Sequence, residues 1–110
     1  MKRCEIWSVN LDPTTGSEQR GYRPVLIVSP DELNGRTTPI VCPIATTALG
    51  QRAAGFVISL AAAGTMTTGV VLCTQVRALD VKSRRGRLVE SVPVFIMDEV
   101  LACLQDIFEA

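Results

Sequence analysis

Only one stretch of this 110-residue chain repeats its apolar residues at helical spacing, and it lies at the C-terminus. Met97, Val100, Leu101, Leu104, Ile107 and Phe108 recur three and four residues apart, which sets them along one face of a helix. Ser91, with Pro93 just inside it, supplies a helix start, so the helix is expected over 92–108. Every earlier apolar segment is short and bounded by glycine, proline or hydroxyl-rich turns, the punctuation of β-structure. Such a chain must wrap its strands around a shared interior and close it with the single helix.

Glu5 to Leu11 alternates, with Trp7, Val9 and Leu11 on one face, and is expected to be a half-buried strand. DPTTG breaks it and opens a loop that lasts to Arg23. Pro24 biases Arg23 to an extended backbone ahead of the strand Val25 to Val28. A second loop runs from Pro30 to Thr38. Ile40 to Ile44 forms a third strand in which Pro43 implies an edge or a bulge. Phe56 to Leu60 and Val70 to Cys73 follow, and Arg77–Leu79 and Arg87–Val89 are weaker strand candidates. Five to seven short strands with one terminal helix give a mainly β (α+β) chain, a small and strongly bent sheet or barrel with the helix against it. One domain over 1–110 is expected, because two halves would each be too small to bury a core.

The net charge is zero, but it is unevenly spread: residues 91–110 hold Asp98, Glu99, Asp106 and Glu109 and no cation. The remainder is net positive, and KSRRGR at 82–87 concentrates Lys82, Arg84, Arg85 and Arg87. That cluster is either a solvated turn or a patch for a phosphate backbone. No run approaches a membrane span and MKRCEIWSVN lacks the apolar centre of a signal peptide, so a cytoplasmic protein is expected. Cys4, Cys42, Cys73 and Cys103 are scattered without metal-ligand spacing, and Cys42 and Cys73 sit in apolar runs as buried thiols do. There is no histidine, which leaves acid–base work to Arg, Lys, Glu, Asp, Tyr and hydroxyls.

The chemistry concentrates in the loop 13–23. Arg23 stands at the mouth of an apolar strand, and its fork of donors suits a phosphate. Glu18 lies between Ser17 and Gln19, with Arg20 and Tyr22 close behind. An acid and two arginines so close could equally form an ion-pair network that orders the loop. Thr46 and Thr47 end the third strand, where hydroxyls often cap a ladder. Gln75 and Arg77 follow the strand at 70–73 and are able to hydrogen-bond a base or a neighbouring loop.

The string E-I-W-x-V-x-L-D-P-T-x-G-S-E-Q-x-G-x-R-P-V-L-I-V-S, from Glu5 to Ser29, resembles the N-terminal signature of the MazF/PemK family of toxin endoribonucleases. The resemblance continues through V-C-P-I-A-T-T and T-T-G-V-V-L-C-T-Q-V-R-A-L-D into the terminal helix, and so spans essentially the whole chain. It implies an SH3-like barrel of the CcdB–MazF type and a sequence-specific endoribonuclease that cuts single-stranded RNA without metal or other cofactor. It also implies a homodimer, a MazE-like antitoxin that neutralises the toxin, and promoter DNA bound through the antitoxin complex.

Carried over by residue, the resemblance makes Arg23 the group at the scissile phosphate, Glu18 the base or organiser for the attacking 2′-hydroxyl, and Thr46 the family threonine. Ser17, Gln19, Arg20, Tyr22, Thr47, Gln75 and Arg77 become RNA contacts, with Tyr22 placed to stack on a base. Two departures stand out. The family threonine comes two residues after the strand's proline, which here is Ala45, so the role passes to Thr46 if a bulge restores its direction or to Thr47 if alternation is kept. Cys4 stands where the family has glycine, with only a small local effect expected. Two other readings share the fold: a CcdB-like toxin that inhibits gyrase, and a non-catalytic SH3-like RNA-binding module.

Overall fold

The computed structural model describes residues 1–11, 21–45 and 55–109. Among the described residues seven strands form one antiparallel sheet: β1 (Glu5–Asn10), β2 (Tyr22–Ile27), β3 (Ile40–Ala45), β4 (Val57–Ser59), β5 (Val70–Leu72), β6 (Arg77–Ala78) and β7 (Arg87–Ser91). Their order is β4-β5-β3-β2-β1-β7, with β6 beside β3. A short helix α1 (Asp31–Asn34) follows β2, a 3-10 turn (Cys73–Gln75) follows β5, and helix α2 (Val94–Glu109) ends the chain.

Val25–Ile27 is unbroken by polar residues because both faces of β2 are covered. Leu26 enters a core with Ile6, Cys42, Ile44, Val71 and the α2 residues Ile96, Met97, Val100 and Leu104. Val25 and Ile27 enter a second cluster with Val9, Val41, Leu79 and Val81, against which Trp7 and Leu11 pack. A strand buried on one side only would alternate; one buried on both cannot. Full burial of each such side chain contributes about 1.5–3 kcal/mol, which fixes β2 against sliding.

Pro43 is not at the sheet's edge, as its lack of an N–H suggests it should be. It faces Val25 of β2 on one side. On the other, β6 pairs with Ile40 and Val41 while β5 pairs with Ile44 and Ala45. Pro43 thus falls in the gap between two half-strands, where no donor is required.

The helix begins two residues later than its sequence pattern suggests. Ser91 is used in β7, and the carbonyl of Pro93 accepts the first bonds, from Ile96 N at 3.0 Å and Met97 N at 3.4 Å. Ile96 replaces Phe108 on the buried face: Ile96 is 1% exposed and Phe108 73%. The two ends of the strand order are bridged by Glu90 of β7, whose carboxylate accepts from Met66 N, Thr67 N and Thr67 Oγ1 in the β4–β5 connection.

Candidate active site

Arg23 lies within β2 rather than in the loop before it. The β1–β2 register sets it opposite Val9 and sets Tyr22 opposite Asn10. Its neighbour Val25 is 1% exposed while Arg23 itself is exposed, so the guanidinium stands at the open end of a fixed strand. Nη1 donates to the Tyr22 carbonyl at 3.0 Å. Among the described residues the one ion pair is Arg36–Glu32 at 3.5 Å, so no described carboxylate neutralises Arg23.

Extending the Val25–Pro43 pairing by two residues brings Arg23 opposite Ala45. Strand alternation gives Arg23, Val25 and Ile27 one face of β2, and Pro43 and Ala45 the matching face of β3. Ala45, the family threonine position, is therefore aimed correctly but carries no hydroxyl. The same end of the sheet bounds both segments that hold the other catalytic candidates: Leu11 N donates to Gly21 O at 2.7 Å across the 12–20 segment, and Ala45 ends β3 ahead of 46–54. Ser17, Glu18, Gln19, Arg20, Thr46 and Thr47 lie outside the described residues.

Tyr22 is half-buried next to Arg23, with its ring on the opposite face of β2 from the guanidinium. Gln75 is exposed at the end of the 3-10 turn, and Arg77, in β6, is not drawn into this mouth. Arg77 pairs with Val41, four residues along β3 from Ala45, or about 13 Å at strand spacing. Arg77 instead borders an apolar groove of about 470 Å³ formed with Leu33, Ile40, Leu104 and Phe108.

Asn10 and Arg84 join the mouth from outside any local motif. Asn10 N donates to the Arg84 carbonyl at 3.0 Å and Arg84 Nη1 donates back to Asn10 O at 3.2 Å. They are 74 residues apart, so nothing local in the sequence signals the pair. Burial and mutual hydrogen bonding make Cys73 and Cys103 poor nucleophiles. Cys103 is pushed up to about 11 by burial and by its hydrogen bond with Cys73. Cys73 is raised further by a hydrogen bond with Cys42 and by burial, and a protonated thiol is unreactive.

At one end of the small antiparallel sheet backed by α2, an exposed guanidinium with no carboxylate partner among the described residues thus stands at the start of a buried strand. The chain belongs to the family of PemK-like, MazF-like toxins of type II toxin–antitoxin systems, whose model matches residues 2–108. It is 51% identical over 108 residues to the endoribonuclease PemK of Escherichia coli, covering 97% of this chain and 81% of that protein. Among solved structures, MazF of Deinococcus radiodurans superposes with a TM-score of 0.81 at 32% identity, covering 100% of this chain and 97% of that one. The MazE–MazF complex of the same organism gives 0.80 at 28% identity, over 99% and 95%.

Proposed function

We propose that the protein is a sequence-specific endoribonuclease toxin that cleaves single-stranded RNA without a metal and is neutralised by a MazE-like antitoxin. The observation that carries this reading is Arg23, an exposed guanidinium with no described counter-charge, fixed where the segments bearing Glu18 and Thr46 meet the sheet. The kinship with PemK and MazF supports it.

RNA carries its own nucleophile, so the protein needs only to align, neutralise and move protons. The 2′-hydroxyl attacks the phosphorus as Glu18 takes its proton, and an O2′–P bond forms. The P–O5′ bond breaks and O5′ is protonated, leaving a 2′,3′-cyclic phosphate and a 5′-hydroxyl. Arg23 donates paired hydrogen bonds to the phosphoryl oxygens, where negative charge builds, and the hydroxyl of Thr46 adds a third donor. Ser17, Gln19, Arg20, Tyr22 and Thr47 contact the strand around the cut, and Tyr22 stacks on a base. Gln75, in the 3-10 turn, and Arg77, in β6, contact the RNA strand farther from the cut.

The toxin acts as a cytoplasmic homodimer, and promoter DNA is reached only through the antitoxin. The test is to map the cleavage ends of a long RNA treated with the pure protein beside its Arg23→Ala variant. Cyclic-phosphate ends made by the wild type and lost in the variant support the reading. Intact RNA together with inhibited gyrase assigns the chain to the CcdB-like class instead, and bound but uncut RNA assigns it to a binding module.

A further inference from the structure

Lys82, Arg84, Arg85 and Arg87 form the densest cationic cluster in the chain, and the site at Arg23 does not account for it. Like charges this close repel one another. None of the four belongs to an ion pair among the described residues. Asp80, two residues before Lys82, accepts from Ser83 N at 3.1 Å and so caps the turn.

The turn is rigid. Arg85 N donates to Lys82 O at 3.1 Å and Gly86 N to Val81 O at 2.9 Å. Arg85 has φ 54, a left-handed backbone that a non-glycine residue adopts at a cost. Leu79 and Val81, 3% and 1% exposed, anchor the approach to the turn in the second core cluster. Arg84 is spent on structure, since its guanidinium holds Asn10. Lys82, Arg85 and Arg87 remain exposed.

The staple also fixes where the turn sits. Arg84 bonds Asn10, and Asn10 pairs with Tyr22 beside Arg23. Two strand spacings, about 10 Å, separate the turn from the mouth, a gap that a single strand spans within a few nucleotides.

We infer that Lys82, Arg85 and Arg87 form a phosphate-contacting arm that holds the RNA strand beyond the cut, through its backbone and without regard to sequence. The inference rests on the nuclease reading and extends it. Contiguity with the mouth favours the RNA strand as occupant over an acidic polypeptide, because a strand lying on Arg23 reaches the turn within a few nucleotides.

The test uses Arg23→Ala protein, so that turnover does not consume the RNA, with and without Lys82→Gln, Arg85→Gln and Arg87→Gln together. Fluorescence anisotropy is measured with a short single-stranded oligonucleotide and with one of about 16 nucleotides, the upper end of a single-strand site, over a range of salt. The triple change is expected to weaken the long RNA about tenfold and to lower its salt slope by about 2, as loss of three single-strand phosphate contacts requires. Affinity for the short RNA should stay the same. An equal loss at both lengths, or no loss at either, overturns the inference. So does polyglutamate that binds through these three residues while RNA binding ignores length. If the wild type cuts no RNA yet the length-dependent loss is seen, the nuclease reading fails and the arm stands. Matching thermal unfolding of both proteins confirms that the exposed substitutions leave the fold intact.

Discussion

Glu90 and Thr67 bridge the two ends of the sheet: the Glu90 carboxylate accepts from the Thr67 hydroxyl at 2.6 Å and the Thr67 amide at 2.7 Å, with Met66 N at 3.0 Å. The Thr67 hydroxyl is the main cause that holds the Glu90 pKa below its usual value, against a smaller opposing effect of burial. A carboxyl depressed in the folded state stabilises above its unfolded pKa and loses that contribution as pH falls through the folded one. Glu90→Gln should therefore lower stability at neutral pH by about 1 kcal/mol, at the low end for charged hydrogen bonds because the site is open to water. The gap between variant and wild type should narrow as the pH falls below about 4, near the ordinary glutamate range. Urea unfolding of both proteins between neutral and acid pH checks the sign; a gap that widens in acid would contradict it.

Gly86 lies where a side chain does not fit. A Cβ there would stand 2.3 Å from Val81 Cγ1 and 2.8 Å from the Val81 carbonyl, with Trp7 Cε3 at 3.4 Å. Val81 is 1% exposed and cannot swing away freely. Gly86→Ala should cost about 1–3 kcal/mol, the range for overpacking. A lower urea midpoint at unchanged slope is the expected result.

Cys4 has φ 81, the left-handed backbone that glycine adopts without strain, which explains why glycine is the family residue there. Its amide donates to Ile27 O at 3.1 Å and its carbonyl accepts from Val92 N at 2.8 Å, so the strained residue is pinned between β2 and the approach to α2. Cys4→Gly removes the strain while Cys4→Ala keeps it. The glycine variant should be more stable than the alanine variant by about 1 kcal/mol, the penalty of a left-handed L-residue less the glycine entropy cost. Equal melting temperatures for the two would show that the backbone relaxes.

What was legible in the sequence was what periodicity encodes. The apolar runs gave every strand to within a few residues, and the three-and-four spacing gave α2. Elements held by contacts distant in sequence left no such trace. Helix α1 is one turn long and has no buried residue. It is tied down by polar contacts: Arg3 N donates to Asp31 Oδ1 at 2.8 Å, and Asn34 Nδ2 to Met1 O at 3.2 Å and Ser29 O at 3.1 Å. Ser91 reads as a helix cap because hydroxyls favour caps, yet pairing with Glu5 takes it into β7. For the site, the Arg-Pro pair located Arg23, whereas the Asn10–Arg84 staple depends on register across three strands and has no local signature.

Arg23 is exposed, so its removal should spare stability and strike chemistry. Loss of a donor aimed at developing charge typically costs about 100- to 1,000-fold in rate, and Arg23→Ala should fall by that much with an unchanged urea midpoint. Arg23→Lys should recover only part of the loss, because an ammonium cannot donate the paired, planar hydrogen bonds of a guanidinium. Single-turnover cleavage of a mapped RNA site measures all three proteins; full activity in the lysine variant would reduce Arg23 to a point charge.

Ala45 shares the Arg23 face, and continued alternation turns the next side chain away and returns the one after. A bulge at the strand's end instead re-aims the next residue, as bulges beside active sites do. The family spacing puts the hydroxyl at 45, and Thr46 is the nearest replacement. Thr46→Val, which keeps the branched shape and deletes the hydroxyl, should lower single-turnover cleavage at least tenfold, the scale of one hydrogen bond to a charged group. Thr47→Val should change it by less than about threefold, well under 1 kcal/mol. The reverse pattern would mean that β3 alternation persists past Ala45 and that Thr47 supplies the donor.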